Sequence, residues 1–135
     1  MLSIFDQNRT TILIPMRALN EGKSRLSNFL SPNNRARLVE LLFSQLLKKL
    51  NILKFEYPFI FSKVIVITPC EKVKKISEKF GAFVFKETEP NGLNSALKLG
   101  LYWSLENHYD SSLIIPGDLI DPNAADIKKI LKMGK

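Results

Sequence analysis

The sequence predicts a Rossmann-like, three-layer α/β/α protein, a mostly parallel sheet in strand order 3-2-1-4 covered by helices. Three observations predict it. Short apolar or β-branched runs recur along the chain, each four to six residues long in the manner of buried strands. Between them lie helix-length stretches, one of them free of Pro and Gly from Asn33 to Lys54. Strand and helix alternate throughout, and such alternation implies right-handed crossovers and a helix-covered parallel sheet. The 135 residues allow one domain, residues 1–135, with a modest core.

Thr10 to Pro15 (TTILIP) is the first strand, and a polar loop from Met16 to Leu30 follows it. Ser31-Pro32 reads as N-cap and first helical residue. Leu38, Leu41, Leu42, Leu46 and Leu50 then form the expected buried stripe, with Arg35, Arg37, Glu40, Lys48 and Lys49 on the outer face. Asn51 to Ser62 is aromatic and reads as irregular because Pro58 blocks a regular helix or central strand; a packed loop is expected, with an oligomer contact as the other option. Lys63 to Thr68 (KVIVIT) is the clearest strand, ended by Pro69. Glu71 to Phe80 is a helix closed by Gly81. Ala82 to Lys86, a helix over Asn91 to Tyr109, Ser112 to Pro116, and a helix over Asn123 to Met133 complete the order.

Composition excludes several classes. Hydrophobic residues are 45% and charged residues 24%, unlike a disordered chain. No apolar run approaches the roughly 18 to 20 residues of a spanning helix, and the Met1–Asp6 start lacks the features of a signal peptide. One cysteine fits a reducing compartment, so a cytoplasmic protein with no membrane partner is expected. The net charge of +7 is spread over helix-surface lysines (Lys72, Lys74, Lys75, Lys79) and a lysine-rich tail, with no aromatic platform. Solvated helix faces, or a basic surface that attracts a small phosphorylated molecule, are expected rather than a nucleic-acid partner.

In open parallel sheets ligands sit beyond the carboxyl ends of the strands, where the strand order reverses. Here that point lies between the first and fourth strands. The loop after Pro15 carries Arg17, Lys23, Ser24 and Arg25, three cations in nine residues, suited to a triphosphate. Gly22-Lys23-Ser24 is not the end of a P-loop, since Arg17 stands where its first glycine belongs. A surface loop with incidental charges is the plain alternative. After the fourth strand, Asp118 is placed to hold Mg²⁺, or else serves as a turn or capping aspartate. Asp121 reads as a turn residue before Pro122. Gly92 and Asn94 open the third helix, where Gly92 permits close backbone approach and Asn94 offers an amide. Helix capping by Asn91 or Asn94 explains the same residues equally well.

The ordered set IPMRALNEGKSRLSNFLSPNNRARL, VIVITP, EPNGLNSALKLGL and LIIPGDL resembles the 2-phospho-L-lactate guanylyltransferase family, over about Thr11 to Leu131. That family belongs to the glycosyltransferase-A-like, nucleotide-diphospho-sugar transferase-like nucleotidyltransferases. The resemblance implies attack by a phosphate oxygen of 2-phospho-L-lactate on the α-phosphate of GTP, with release of pyrophosphate, in coenzyme F-420 biosynthesis. Phosphoenolpyruvate or phosphoglycerate as acceptor, or a non-catalytic nucleotide-binding domain, are the alternatives. By matching motif, Lys23, Arg25 and Arg17 hold the triphosphate, while Pro15, Ser24, Thr68, Pro69, Gly92 and Asn94 line the nucleotide. Asp118 is then one of two Mg²⁺-binding acids, and Cys70 and His108 have no role.

Two departures from the family pattern stand out. Leu119 is followed by Ile120-Asp121-Pro122 where the family has Pro-Leu, and the sequence ends at Lys135, before the family's acceptor loops and second metal acid. The expectation is a fold incomplete at its C-terminus, with weak or no transfer by itself. A homodimer or a complementing C-terminal fragment would be its partner, alongside GTP and a small phosphorylated acid.

Overall fold

A computed structural model of the protein describes residues 10–19, 28–87, 93–109, 111–117 and 124–133, with the side chains of 93, 94, 124, 125 and 131–133 outside that description. The elements are β1 (Thr10–Pro15), α1 (Pro32–Glu56), β2 (Lys63–Thr68), α2 (Glu71–Lys79), β3 (Phe83–Lys86), α3 (Leu93–Glu106), β4 (Ser111–Ile114) and α4 (Ala124–Met133). Their four strands form one sheet in the expected order β3-β2-β1-β4, and every pair is parallel.

The apolar character of β1 follows from its central place. Ile12, Leu13 and Ile14 are completely buried, and alternation along the strand sends them to opposite faces. Ile12 and Ile14 join Val66 against Val39, Phe43, Leu46 and Leu50 of α1. Leu13 joins Ile65 and Ile67 in a smaller cluster with Ala96 of α3. Gly100 lets α3 approach this second face closely: a Cβ there would stand 2.9 Å from Ile67 Cδ1 and 3.2 Å from both Leu13 methyls.

The stripe that α1 buries differs from expectation. Val39, Leu42, Phe43, Leu46, Leu47, Leu50 and Leu53 face inward, whereas Leu41 is 55% exposed and Leu38 only half-buried. Leu41 and Leu42 lie about 100° apart around the helix, so one stripe cannot centre on both. Arg35, expected on the outer face, precedes Val39 by one turn and is half-buried on its side. The helix also runs to Glu56, into the segment read as irregular. Pro58 disfavours helix only at itself and the residue before it, and Tyr57 caps the helix by donating to the Leu53 carbonyl. Of the six residues from Tyr57 to Ser62, Ile60 and Phe61 plug the core. Lys54 closes this corner, its ammonium donating to the carbonyls of Phe61 and Ser62.

Two helices end in the same capping geometry. In α2, Gly81 at φ 79° donates to Glu78 and Ala82 donates to Ser77, as a left-handed C-terminal cap requires. After α3, His108 takes that place at φ 64°, with its N–H on Leu105 and that of Tyr109 on Ser104. His108, without a role in the resembled chemistry, has a structural task in this left-handed turn.

A buried hydroxyl chain ties α3 to the sheet. Ser104 Oγ donates to the Gly100 carbonyl at 2.9 Å, which uses its only proton. Thr11 must therefore donate to Ser104 (3.0 Å) and accept from Ser112 (2.8 Å). Proton counting thus gives the chain one direction, from Ser112 through Thr11 and Ser104 to Gly100. Among the described residues β4 pairs only with β1, and no helix is long and apolar enough to cross a membrane.

Candidate functional site

The carboxyl ends of the strands form an even rim. The first residue past β1, Met16, still donates to Ile67 of β2 at 2.9 Å. Just past β4, Ile115 donates to Leu13 of β1 at 3.0 Å, and Glu87, first past β3, donates to Thr68 of β2 at 2.9 Å. Each exit is therefore held for one more ladder bond before its loop departs.

Between β1 and β4 the two exits meet. Met16 and Leu19 are buried, anchoring the start of the long loop and leaving Arg17 between them exposed to solvent. Gly117 packs directly on this anchor: a Cβ there would fall 2.0 Å from Met16 Sδ, 2.6 Å from its Cγ and 3.2 Å from Ile14 Cγ2. The sheet thus brings the loop that begins at Pro15 and the turn before Asp118 into van der Waals contact. Pro15 itself is half-buried, paired with Ile67 in the β1–β2 register.

Thr68 and Pro69 lie one strand away. Thr68 is completely buried, and its Oγ1 accepts the Cys70 N–H at 3.1 Å. Its hydroxyl thus helps shape the turn into α2 as an acceptor and keeps its own proton to donate. Pro69 and Cys70 are half-buried. Glu71, at the start of α2, pairs with Lys86 of β3 at 2.5 Å. That ammonium, by hydrogen bond and charge, holds the Glu71 carboxyl below its ordinary range. Lys23, Ser24, Arg25, Gly92, Asp118 and Asp121 lie outside the described residues, as does the side chain of Asn94. Among the described residues no three His, Cys, Asp or Glu side chains converge as a metal site.

Two groups at this edge were not singled out by residue type. The Nε of Arg35, in the first turn of α1, is buried without a protein acceptor. Glu87 is 8% exposed, and its Oε2 is buried without a protein donor. Burial pushes the Glu87 carboxyl above its ordinary pKa. Both residues sit among other charges in the sequence, Arg35 beside Arg37 and Glu87 between Lys86 and Glu89, and nothing in that pattern marks them as buried.

The parallel sheet in order β3-β2-β1-β4, with α1 packed on one face and α3 on the other, has a nucleotide-diphospho-sugar transferase-like fold. A crystal structure from Desulfovibrio desulfuricans G20, described as a "putative nucleotide-diphospho-sugar transferase", superimposes with a TM-score of 0.64 over 93% of this chain and 54% of that one, at 16% identity. Residues 10–135 match the family described as "Guanylyl transferase CofC like", and the chain belongs to that family. Similar proteins include the 3-phospho-D-glycerate guanylyltransferases of Colwellia psychrerythraea (32% identical; 91% of this chain, 56% of that protein) and Phenylobacterium zucineum (36%; 82% and 50%). The 2-phospho-L-lactate guanylyltransferase of Methanosphaera stadtmanae is 28% identical over 93% of this chain and 53% of its own length. The chain spans about half the length of the curated relatives it matches.

Proposed function

We propose that this chain carries the nucleotide-binding part of a guanylyltransferase, which transfers GMP from GTP to a small phosphorylated acid. The observation that supports this most is the contact of Gly117 with Met16, which joins the exits of β1 and β4 beneath the Arg17 loop. In this reading Arg17, Lys23 and Arg25 bind the triphosphate, with Ser24 and the backbone after Pro15 beside them. Thr68, Pro69, Gly92 and Asn94 border the nucleoside. A phosphate oxygen of the acceptor attacks the α-phosphorus of GTP, the bond to the β-phosphate oxygen breaks, and pyrophosphate leaves. The chain's own contribution is positioning and charge stabilisation, with no protein nucleophile.

Mg²⁺ would neutralise phosphate charge, with Asp118 as its ligand here. Among the described residues no three His, Cys, Asp or Glu side chains could hold the ion by themselves. For the acceptor, 2-phospho-L-lactate and a place in coenzyme F-420 synthesis are the reading of the sequence motifs. Relatives named for 3-phospho-D-glycerate, 2-phospho-L-lactate and phosphoenolpyruvate support the broader class, a three-carbon acid bearing one phosphate. A cytoplasmic setting is consistent with free Cys70.

The test is binding of magnesium–GTP to the wild type and to Lys23→Ala. A clear loss of affinity in the variant supports the reading, and equal affinity contradicts it.

A further inference from the structure

Glu87 combines three properties that a structural role does not explain. It is 8% exposed, its Oε2 meets no protein donor, and it lies at the carboxyl end of β3 on the rim already described. Burying a carboxylate without a partner is unfavourable by several-fold more than burying a neutral amide. A neutral glutamine of the same shape would serve packing better. Unpaired buried acids of this kind persist where a ligand completes their hydrogen bonds.

Its position narrows the ligand. Phe85, two residues earlier in β3, packs with Leu13, Ile65, Ile67 and Ala96, so strand alternation sends Glu87 toward the same α3 face. The Glu87 N–H bonds the Thr68 carbonyl, which fixes the residue beside the β2 exit and Pro69. β3 stands two strand spacings, about 10 Å, from β1. A nucleoside laid across the strand ends, its phosphates at the β1–β4 switch point, brings its base toward this carboxylate.

We infer that Glu87 is the base-selecting residue of the site, its two carboxylate oxygens accepting the ring N–H and exocyclic amine of guanine. The match is chemical. Ionised, the side chain is acceptor-only and takes two donors side by side. Guanine presents that pair, a ring N–H next to an amine. Adenine offers one amine and an acceptor that would face the carboxylate, and hypoxanthine lacks the amine altogether. This inference rests on the nucleotide-binding reading above.

The experiment is equilibrium binding of GTP, ITP, ATP and inorganic tripolyphosphate, each with Mg²⁺, to the full chain and to Glu87→Gln. Thermal midpoints serve as the fold control. The wild type should prefer GTP to ITP and ATP by roughly tenfold or more, the equivalent of one charge-assisted hydrogen bond. Glu87→Gln should bring the three nucleotides close to equal affinity and leave tripolyphosphate binding unchanged. Its thermal midpoint should match or exceed that of the wild type, which a structural residue would not show. A GTP preference that survives the substitution overturns the inference, as does a wild type that binds all three nucleotides alike. A wild type that binds neither nucleotide nor tripolyphosphate overturns the proposed function as well, so the two failures are distinguishable.

Discussion

Gly117→Ala probes the joint on which the site depends. An alanine Cβ would stand 2.0 Å from Met16 Sδ and 2.6 Å from its Cγ. Met16 is 7% exposed and packed in the main core, so neither atom can move without displacing a neighbour. Overpacking of this kind destabilises by about 1–3 kcal/mol, although methionine is the most adaptable core residue and favours the lower half of that range. The cause can be isolated with Met16→Ala. That substitution alone loses roughly 2–4 kcal/mol through lost burial and a cavity. In its background the new methyl finds space, so the added cost of Gly117→Ala should fall to within about 0.5 kcal/mol of zero. Urea unfolding read by the fluorescence of Trp103, the only tryptophan, gives all four free energies. Trp103 lies 5.0 Å from the Phe83 ring and 5.8 Å from that of Tyr109, a packed setting that unfolding must disrupt. An equal loss from Gly117→Ala in both backgrounds would refute the steric argument.

Thr11→Val should lower stability by about 1–2 kcal/mol, because it removes the central link of the chain from Ser112 to Ser104 while keeping the shape; a change under about 0.3 kcal/mol in urea unfolding would contradict a stabilising role for the hydroxyl chain. Glu87 predicts a pH effect. Burial raises its folded pKa above the ordinary 4.5, so the unfolded chain ionises first as pH rises. The stability present below that value is therefore lost as pH climbs through the folded pKa. Glu71 acts in the opposite sense through Lys86, but its exposure keeps the effect small. Glu87→Gln should gain on the wild type as pH rises above the ordinary carboxylate value, and a pH-independent difference would count against the buried, unpaired acid.

Strand order, element order and the switch point were legible because they depend on periodicity and alternation, which are local. KVIVIT and TTILIP each span one buried strand, and Gly81 marks a left-handed cap that only its residue type reveals. The misjudgements concern neighbours in space. Leucine-rich α1 offers more than one apolar stripe, and contact with Ile12, Ile14 and Val66 selected the one through Val39 and Phe43. Helix α1 outran expectation because Pro58 acts only on itself and the residue before it, leaving Leu53 free to add a last buried rung. For the site, the sequence puts cations in the loop after β1 and an acid after β4, since loop position follows from topology. It could not show that the Thr68 hydroxyl accepts the Cys70 N–H, nor that Arg35 and Glu87 carry buried, unpartnered atoms. Burial of a single charge is decided by packing across the sheet, and no local pattern records it.

The central claim is a triphosphate site on the loop that leaves β1. It is tested most directly by calorimetric titration of magnesium–GTP into the wild type, Arg17→Ala and Lys23→Ala, with thermal midpoints confirming the fold. Loss of one charge-assisted phosphate contact should weaken binding roughly 10- to 100-fold in each variant and leave the midpoints without ligand unchanged. Undiminished GTP affinity in both variants would contradict the account.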